Sequence, residues 1–260
     1  MKTPKERYVF AALGAVLLAY LVYPFVAFFA GTRGADVAGD LRAPETQEAV
    51  VNSLVTAPVA TAIAAFFGVP LAYFLARAEF RGKVFVESVV ILPLVLPPVV
   101  GGAMLLMGFG RFTTVGGAAS AVGVPLTDSL VGVVLAQTFV SAPFVVITSR
   151  AGFSAVDEHL EQASRTMGHG SLATFWNVSL PSARSAVAAG VVLTFARAVG
   201  EFGATMMTAY NPRTMPTRIW VDFIAGGIDG VVALSLVLIV ITTVVIVAVQ
   251  RLERIPTVRG

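Results

Sequence analysis

The sequence predicts an all-α integral membrane protein with six transmembrane helices, and two observations predict it. Of the 260 residues 57% are hydrophobic and only 13% charged, against about 25% charged in soluble domains. The apolar residues also gather into six stretches, at 8–31, 52–76, 88–110, 129–149, 185–210 and 230–250. About 20 predominantly apolar residues suffice to cross a bilayer. Backbone groups in lipid need internal partners, so each stretch reads as a helix. With no soluble module and no low-complexity segment, residues 1–260 read as a single transmembrane domain.

The first stretch follows Lys2, Lys5 and Arg7, as a signal peptide would. It is longer than a signal h-region, and Phe28 spoils a small-x-small cleavage site ending at Ala30, so it reads as a retained span. Residues 31–47, with Asp36, Asp40 and Glu45, form an external connection. The second span has no charge. The third contains "LPLVLPPVVGG", with Pro93, Pro97 and Pro98 close together. Proline inside a helix removes a backbone bond and kinks it. At membrane depth such a break is buried in protein or faces a water-filled cavity, so it is either a structural kink or the lining of a pathway. Residues 111–128 are a second external connection, and the fourth span is again uncharged.

The fifth span is interrupted only by Arg197 and Glu201, four apart and so on one helix face. Intramembrane charges cost at least about 2.5 kcal/mol near mid-span and face a bundle interior. They are read either as a mutual ion pair locking helices together or as part of a translocation route, with Arg197 drawing on an anion's charge. Gly200 and Gly203 beside them permit close helix approach. Asp222 and Asp229, near the outer mouth of the sixth span, read as solvated loop residues or as contacts for an external protein.

Orientation follows from the basic residues. With a cytoplasmic N-terminus, twelve lie inside (Lys2, Lys5, Arg7, Arg77, Arg81, Lys83, Arg150, Arg165, Arg184, Arg251, Arg254, Arg259). Five lie outside (Arg33, Arg42, Arg111, Arg213, Arg218). The positive-inside rule therefore puts both termini in the cytoplasm of a multi-pass plasma-membrane protein. The basic balance is topological and gives no reason to invoke nucleic acid.

Between the fourth and fifth spans lies a polar insert, residues 154–181, containing "EQASRTMGHGSLATFWNVSLP". Ser154 and Asp157 resemble a capping box, which starts a helix near Ala155 running through Leu160, Ala163 and Met167. "GHG" then stops it, as glycine does just past a helix end. Ser171 caps a second short helix with Leu172, Phe175 and Trp176, and Pro181 marks its far limit. The apolar face of such a pair either docks onto another protein or lies at the lipid interface.

The insert resembles the "EAA" loop of ABC-importer permeases, whose pattern is E-A-A, three residues, G, nine residues, I-x-L-P. Here Gln162-Ala163-Ser164, Gly168 and Val178-Ser179-Leu180-Pro181 fall at that spacing. Gln162 replaces the glutamate, Ser164 the second alanine and Val178 the isoleucine, while Glu161 keeps a carboxylate nearby on a different helix face. "GVPLAYFLAR" at 68–77, "LPLVLPPVVGG" at 92–102 and "FARAVGEFGAT" at 195–205 resemble permeases for tetrahedral oxyanions. "AYNPRTMPTRIW" at 209–220 is more similar to the archaeal-style molybdate/tungstate permeases than to the sulfate ones.

This resemblance implies the type I ABC-importer permease fold, working as a homodimer in the lipid membrane. Two ATPase subunits would dock on the cytoplasmic side, and an extracytoplasmic binding protein would deliver molybdate or tungstate. Glu161, Gln162, Ala163, Ser164, Gly168, Ser171, Leu172, Phe175, Leu180 and Pro181 would form the ATPase-coupling segment. Pro97, Pro98, Arg197, Gly200, Glu201 and Gly203 would line or gate the path, opened by alternating access. No cofactor is expected on this chain; ATP and magnesium belong to the ATPase. Consistent with that, there is no G-x-x-x-x-G-K-[ST], and Gly82-Lys83 is an isolated pair. Sulfate import is an alternative, because sulfate and molybdate share charge and shape. An ATP-independent secondary carrier is another, but the sequence shows no internal repeat of the inverted kind. A membrane enzyme lacks its H-E-x-x-H or G-x-S-x-G. His159 and His169, ten apart in the insert, are not expected to hold a metal.

Overall fold

A computed structural model describes residues 4–32 and 36–253. Lys2, Arg33, Arg254 and Arg259, and the side chains of Lys5 and Arg7, lie outside the described residues. Within them the chain is helical, with no strand. In order come α1 (Pro4–Gly31), α2 (Val37–Arg42), α3 (Pro44–Arg77), α4 (Lys83–Val95), α5 (Pro98–Phe109), α6 (Thr114–Ala121) and α7 (Leu130–Ser154). Then follow α8 (Glu158–Thr166), α9 (Ser171–Thr174), α10 (Leu180–Val199), α11 (Gly203–Thr208), α12 (Met215–Gly226) and α13 (Val232–Glu253). Five of the described helices are long and apolar enough to cross a membrane, or up to six if the bent pair α4–α5 is one span. The protein is a multi-pass membrane protein of the all-α class.

The core is a sandwich of α3, α7 and α10. α3 presents a stripe of small residues (Ala57, Ala60, Ala64, Gly68, Ala72), all buried, so neighbouring backbones approach closely. Pro58 and Pro70 lie on its exposed side, and the helix continues through both. At one end, which bears Arg77, Lys83 and Arg150 and is here termed the basic end, Leu75, Val145, Val146, Phe153 and Phe175 form one cluster. Towards the opposite, outer end, Ala57 packs with Ala198, Val199, Met215 and Leu234. α1 stands apart, none of its described apolar side chains buried.

Three elements differ from the sequence expectation. The third span is two helices, α4 and α5, meeting at 116°. Pro97 takes the N-cap position of α5 and Pro98 its first turn, where a missing N–H costs nothing. The fifth span breaks at Gly200–Phe202, leaving the short α11. Asp222 is a helical residue of α12 rather than a solvated loop residue: Arg218 Nε lies 2.8 Å from its Oδ1 and 2.9 Å from its Oδ2. The external connections also hold short helices, α2 and α6, capped by Asp36 and Thr113.

Candidate functional site

The polar insert hangs from the basic end. Ser154 does not cap it, because α7 runs on to that residue. Asp157 is the cap instead, its Oδ1 accepting from the His159 N–H at 2.9 Å. α8 closes on Gly168 at φ +87°, a left-handed conformation glycine adopts without a Cβ penalty. The His169 N–H then reaches back to the Ser164 carbonyl at 3.2 Å. The second helix is not separate either. α9 is capped by Gly170 rather than Ser171 and passes through a π turn, Phe175–Ser179, directly into α10. Pro181 follows the π turn directly and does not end the helix, which runs on through it to Val199. The insert is therefore one free helix, α8, folded back on a long continuous one.

Glu161 holds α8 in place. It is 3% exposed and receives Arg77 Nε at 3.1 Å on both oxygens, with Arg77 Nη2 at 3.0 Å. Ser179 Oγ donates at 2.8 Å and Tyr73 Oη at 3.3 Å. Arg77 Nη2 also donates to the Val156 carbonyl at 3.0 Å, so the turn entering α8 is held by the same guanidinium. Burial alone would push this carboxyl up. The hydrogen bonds from Arg77, Ser179 and Tyr73, with the charge of Arg77, outweigh it and hold the group below the ordinary glutamate range. Arg165 stands farther off, 3.9 Å away and half-exposed.

This anchoring sorts the sequence-derived coupling residues into two sets. Gln162, Ala163, Gly168, Ser171, Leu172 and Pro181 are exposed. Glu161, Ser164 and Phe175 are buried, and Leu180 is half-buried. Phe175 therefore does not belong to an outward docking face: its ring packs 4.9 Å from Tyr73 and 6.0 Å from Phe153. Ser164 Oγ bridges to Thr174 Oγ1 at 3.1 Å, tying α8 to α9. What projects outward is an apolar tip of Leu160, Met167, Leu172 and Trp176, each more than half exposed. Exposed apolar side chains of this kind mark an interaction surface. Arg77, Tyr73 and Ser179 were missed as site residues, because no local pattern links positions this far apart in sequence.

The second set of residues sits where the two broken helix pairs, α4–α5 and α10–α11, meet. α5 packs on α11. A Cβ on Gly102 would lie 2.7 Å from the Ala204 carbonyl, and one on Gly203 3.0 Å from Pro98 Cβ. Gly203 thus does permit close approach. Gly200 does not serve that purpose, since its nearest neighbour is the Ala196 carbonyl at 3.6 Å. Arg197 Nη2 lies 2.5 Å from Glu201 Oε2, so the pair exists, although Glu201 stands beyond the end of α10 rather than on it. Its other oxygen accepts from the Ala204 N–H at 2.7 Å. Glu201 is fully buried and Arg197 partly exposed. The pair therefore spans the break, and Pro98 and Val99 of α5 lie against Gly203 on its far side; Pro97 is not brought to it.

A family model described as "Binding-protein-dependent transport system inner membrane component" matches residues 68–255. The chain is 45% identical over 244 residues to the probable molybdenum ABC transporter permease protein of Haloferax volcanii, covering 94% of this chain and 89% of that one. It is 36% identical over 248 residues to the molybdate/tungstate transport system permease protein WtpB of Pyrococcus abyssi, covering 94% of each. The molybdenum transport system permease protein ModB of Escherichia coli is 36% identical over 223 residues, covering 84% and 97%. Among solved structures, a bacterial alginate ABC transporter chain aligns with TM-score 0.73 at 16% identity, covering 96% of this chain and 95% of that one. A chain of the MetNI methionine ABC transporter aligns with TM-score 0.60 at 16% identity, covering 83% and 100%. These two speak for the fold.

Proposed function

Because the chain belongs to the family of binding-protein-dependent transport system inner membrane components, we propose that it is the permease subunit of an ATP-driven importer for a tetrahedral oxyanion, molybdate or tungstate. The names of its relatives support the ion. The observation that supports the mechanism is the insert: exposed apolar side chains on a segment fastened to the bundle by a buried carboxylate–guanidinium anchor. In this proposal the basic end faces the cytoplasm and two copies of the chain enclose the path. An ATPase subunit receives Leu160, Met167, Leu172 and Trp176 of each copy, together with the exposed Gln162, Ala163 and Gly168. Nucleotide and magnesium bind on the ATPase, so this chain performs no chemistry. Closure of the ATPase pair would drive the insert, and the spans would reopen outward to accept the ion from an external binding protein.

In the membrane, Arg197 offers the positive charge an oxyanion needs, and Glu201 moderates it. Weak, transient contacts suit a conduit better than a tight site, because a tightly held ion would not leave. The test is reconstitution in liposomes with the ATPase and binding protein, measuring uptake of labelled molybdate, tungstate and sulfate. Uptake that requires ATP and all components, lost on Leu172→Asp together with ATPase binding, supports the proposal. Uptake by the chain alone, indifferent to ATP, would mean a secondary carrier. Preference for sulfate would reassign the ion.

A further inference from the structure

We infer that α3 is a mechanical link between the insert and the break in the fifth span, and that Asn52 and Ser53 are the positioning residues at its far end. α3 is the longest described helix, 34 residues, or about 50 Å at 1.5 Å per residue. That exceeds the roughly 30 Å of a bilayer's hydrocarbon core, so at least one end reaches beyond it. Each end is fastened to an element remote in sequence. At the basic end Arg77 and Tyr73 hold Glu161 of α8, and Arg77 holds the Val156 carbonyl. At the outer end Asn52 Nδ2 donates to the Arg213 carbonyl at 2.9 Å. Ser53 Oγ there accepts from the Met215 N–H at 2.8 Å.

That second fastening grips the start of α12. Met215 is fully buried and packs with Ala57 of α3 and with Ala198 and Val199 at the end of α10. The same start is stiffened by a reciprocal cap, in which the Thr214 N–H donates to Thr217 Oγ1 at 2.8 Å. One turn further along α12, the Trp220 ring lies 5.6 Å from Phe202, the residue immediately after Glu201 in the break. Side chains thus connect α8, α3, α12 and the break without a gap. Between its two fastenings α3 lies against α7 and α10 along a stripe of small residues, which leaves little room for it to bend independently. A displacement of α8 along the α3 axis is delivered at Met215 and Phe202.

Energetic coupling between two sites is reciprocal, and this supplies a test that needs no ATPase and no substrate. Hydrogen exchange is measured on the full chain in lipid nanodiscs, for the parent, Arg77→Gln, Ser53→Ala and the double Asn52→Ala/Ser53→Ala. Arg77→Gln is expected to speed exchange of the amides at 213–218 at least fivefold. The outer-end variants are expected to speed exchange at 158–166, the double variant by at least fivefold and Ser53→Ala by less. Protection of 244–248, the part of α13 beyond the residues that pack with Met215, stays unchanged. Acceleration confined to the end that carries the substitution would overturn the link. So would equal acceleration at 244–248, which would signify general loosening. Neither result depends on whether the chain imports an oxyanion, so failure of the link and failure of the importer proposal are separately visible.

Discussion

Arg77, in the last turn of α3, grips Glu161 of α8 across 84 positions of sequence, with its Nε 3.1 Å from both carboxylate oxygens. Both side chains are largely withdrawn from solvent, at 14% and 4% exposure. Removing one member of such a pair strands the other, which typically costs about 3–5 kcal/mol. Arg77→Met and Glu161→Leu should therefore each lower the melting temperature in detergent and reduce co-purification of the ATPase. If either variant retains parental melting and full ATPase binding, Glu161 is not the anchor of α8.

The same carboxylate gives the insert an acid limit. Its folded-state value lies below the ordinary 4.5, so it binds its proton more weakly folded than unfolded. The stability it contributes is fully present above the unfolded value and is lost as pH falls through the folded one. Protease resistance of the 155–179 segment should hold at neutral pH and decline only below about pH 4.5, the ordinary value. Glu161→Gln should flatten that decline, and an unchanged profile in this variant would assign the acid limit to other groups.

Gly168 tests backbone conformation apart from crowding, since no atom lies within 4 Å of where its Cβ would stand and only its φ of +87° is demanding. Asparagine tolerates the left-handed region better than a β-branched residue does. Gly168→Asn should therefore lose about 1 kcal/mol or less, and Gly168→Val more. Thermal melts of the two, compared with ATPase binding, check the ranking. Equal effects would mean that the glycine matters for something other than φ.

At the α5–α11 contact the opposite logic holds. A methyl on Gly102 would collide with the Ala204 backbone at 2.7 Å, whereas Gly200 has room. Overpacking costs about 1–3 kcal/mol, so Gly102→Ala should destabilise the chain and Gly200→Ala should leave it near the parent. The reverse order in detergent melts would contradict the packing of the two broken spans.

Arg197 and Glu201 are best separated by a double-mutant cycle. Arg197→Met alone leaves a fully buried carboxylate without its guanidinium, a loss of order 3 kcal/mol. Adding Glu201→Gln removes that charge while an amide oxygen can still cap Ala204, so stability should partly return. Uptake by the double variant then decides the role. Parental transport would mean a structural pair, and a stable but inactive protein would place Arg197 on the ion's route.

How much of this was legible in the chain varies by element. α7 and α13 announce themselves through charge-free runs. The break at Pro97–Pro98 is visible because proline lacks an N–H, but its 116° angle is not. Gly168 was legible as a helix stop for a different local reason, since glycine takes a left-handed φ without a Cβ penalty. Ser154 and Pro181 misled, because a residue that caps or ends a helix in one setting sits within a helix in another. Phe175 misled because an apolar residue on a short polar segment looks free until its neighbours are known.

The sequence by itself determined the membrane solvent, the helical class, the positive-inside orientation argument and the presence of a polar insert between two spans. Each depends on composition or on residues a few positions apart, where hydrophobicity, charge and proline geometry act locally. Tertiary structure alone decided which carboxylate is the anchor, that α9 runs on into α10, and that Glu201 accepts from the Ala204 N–H while pairing with Arg197. Those outcomes are set by which distant groups meet in a space closed to water. There an unpaired charge is costly, so the partner found across the fold determines what each residue does.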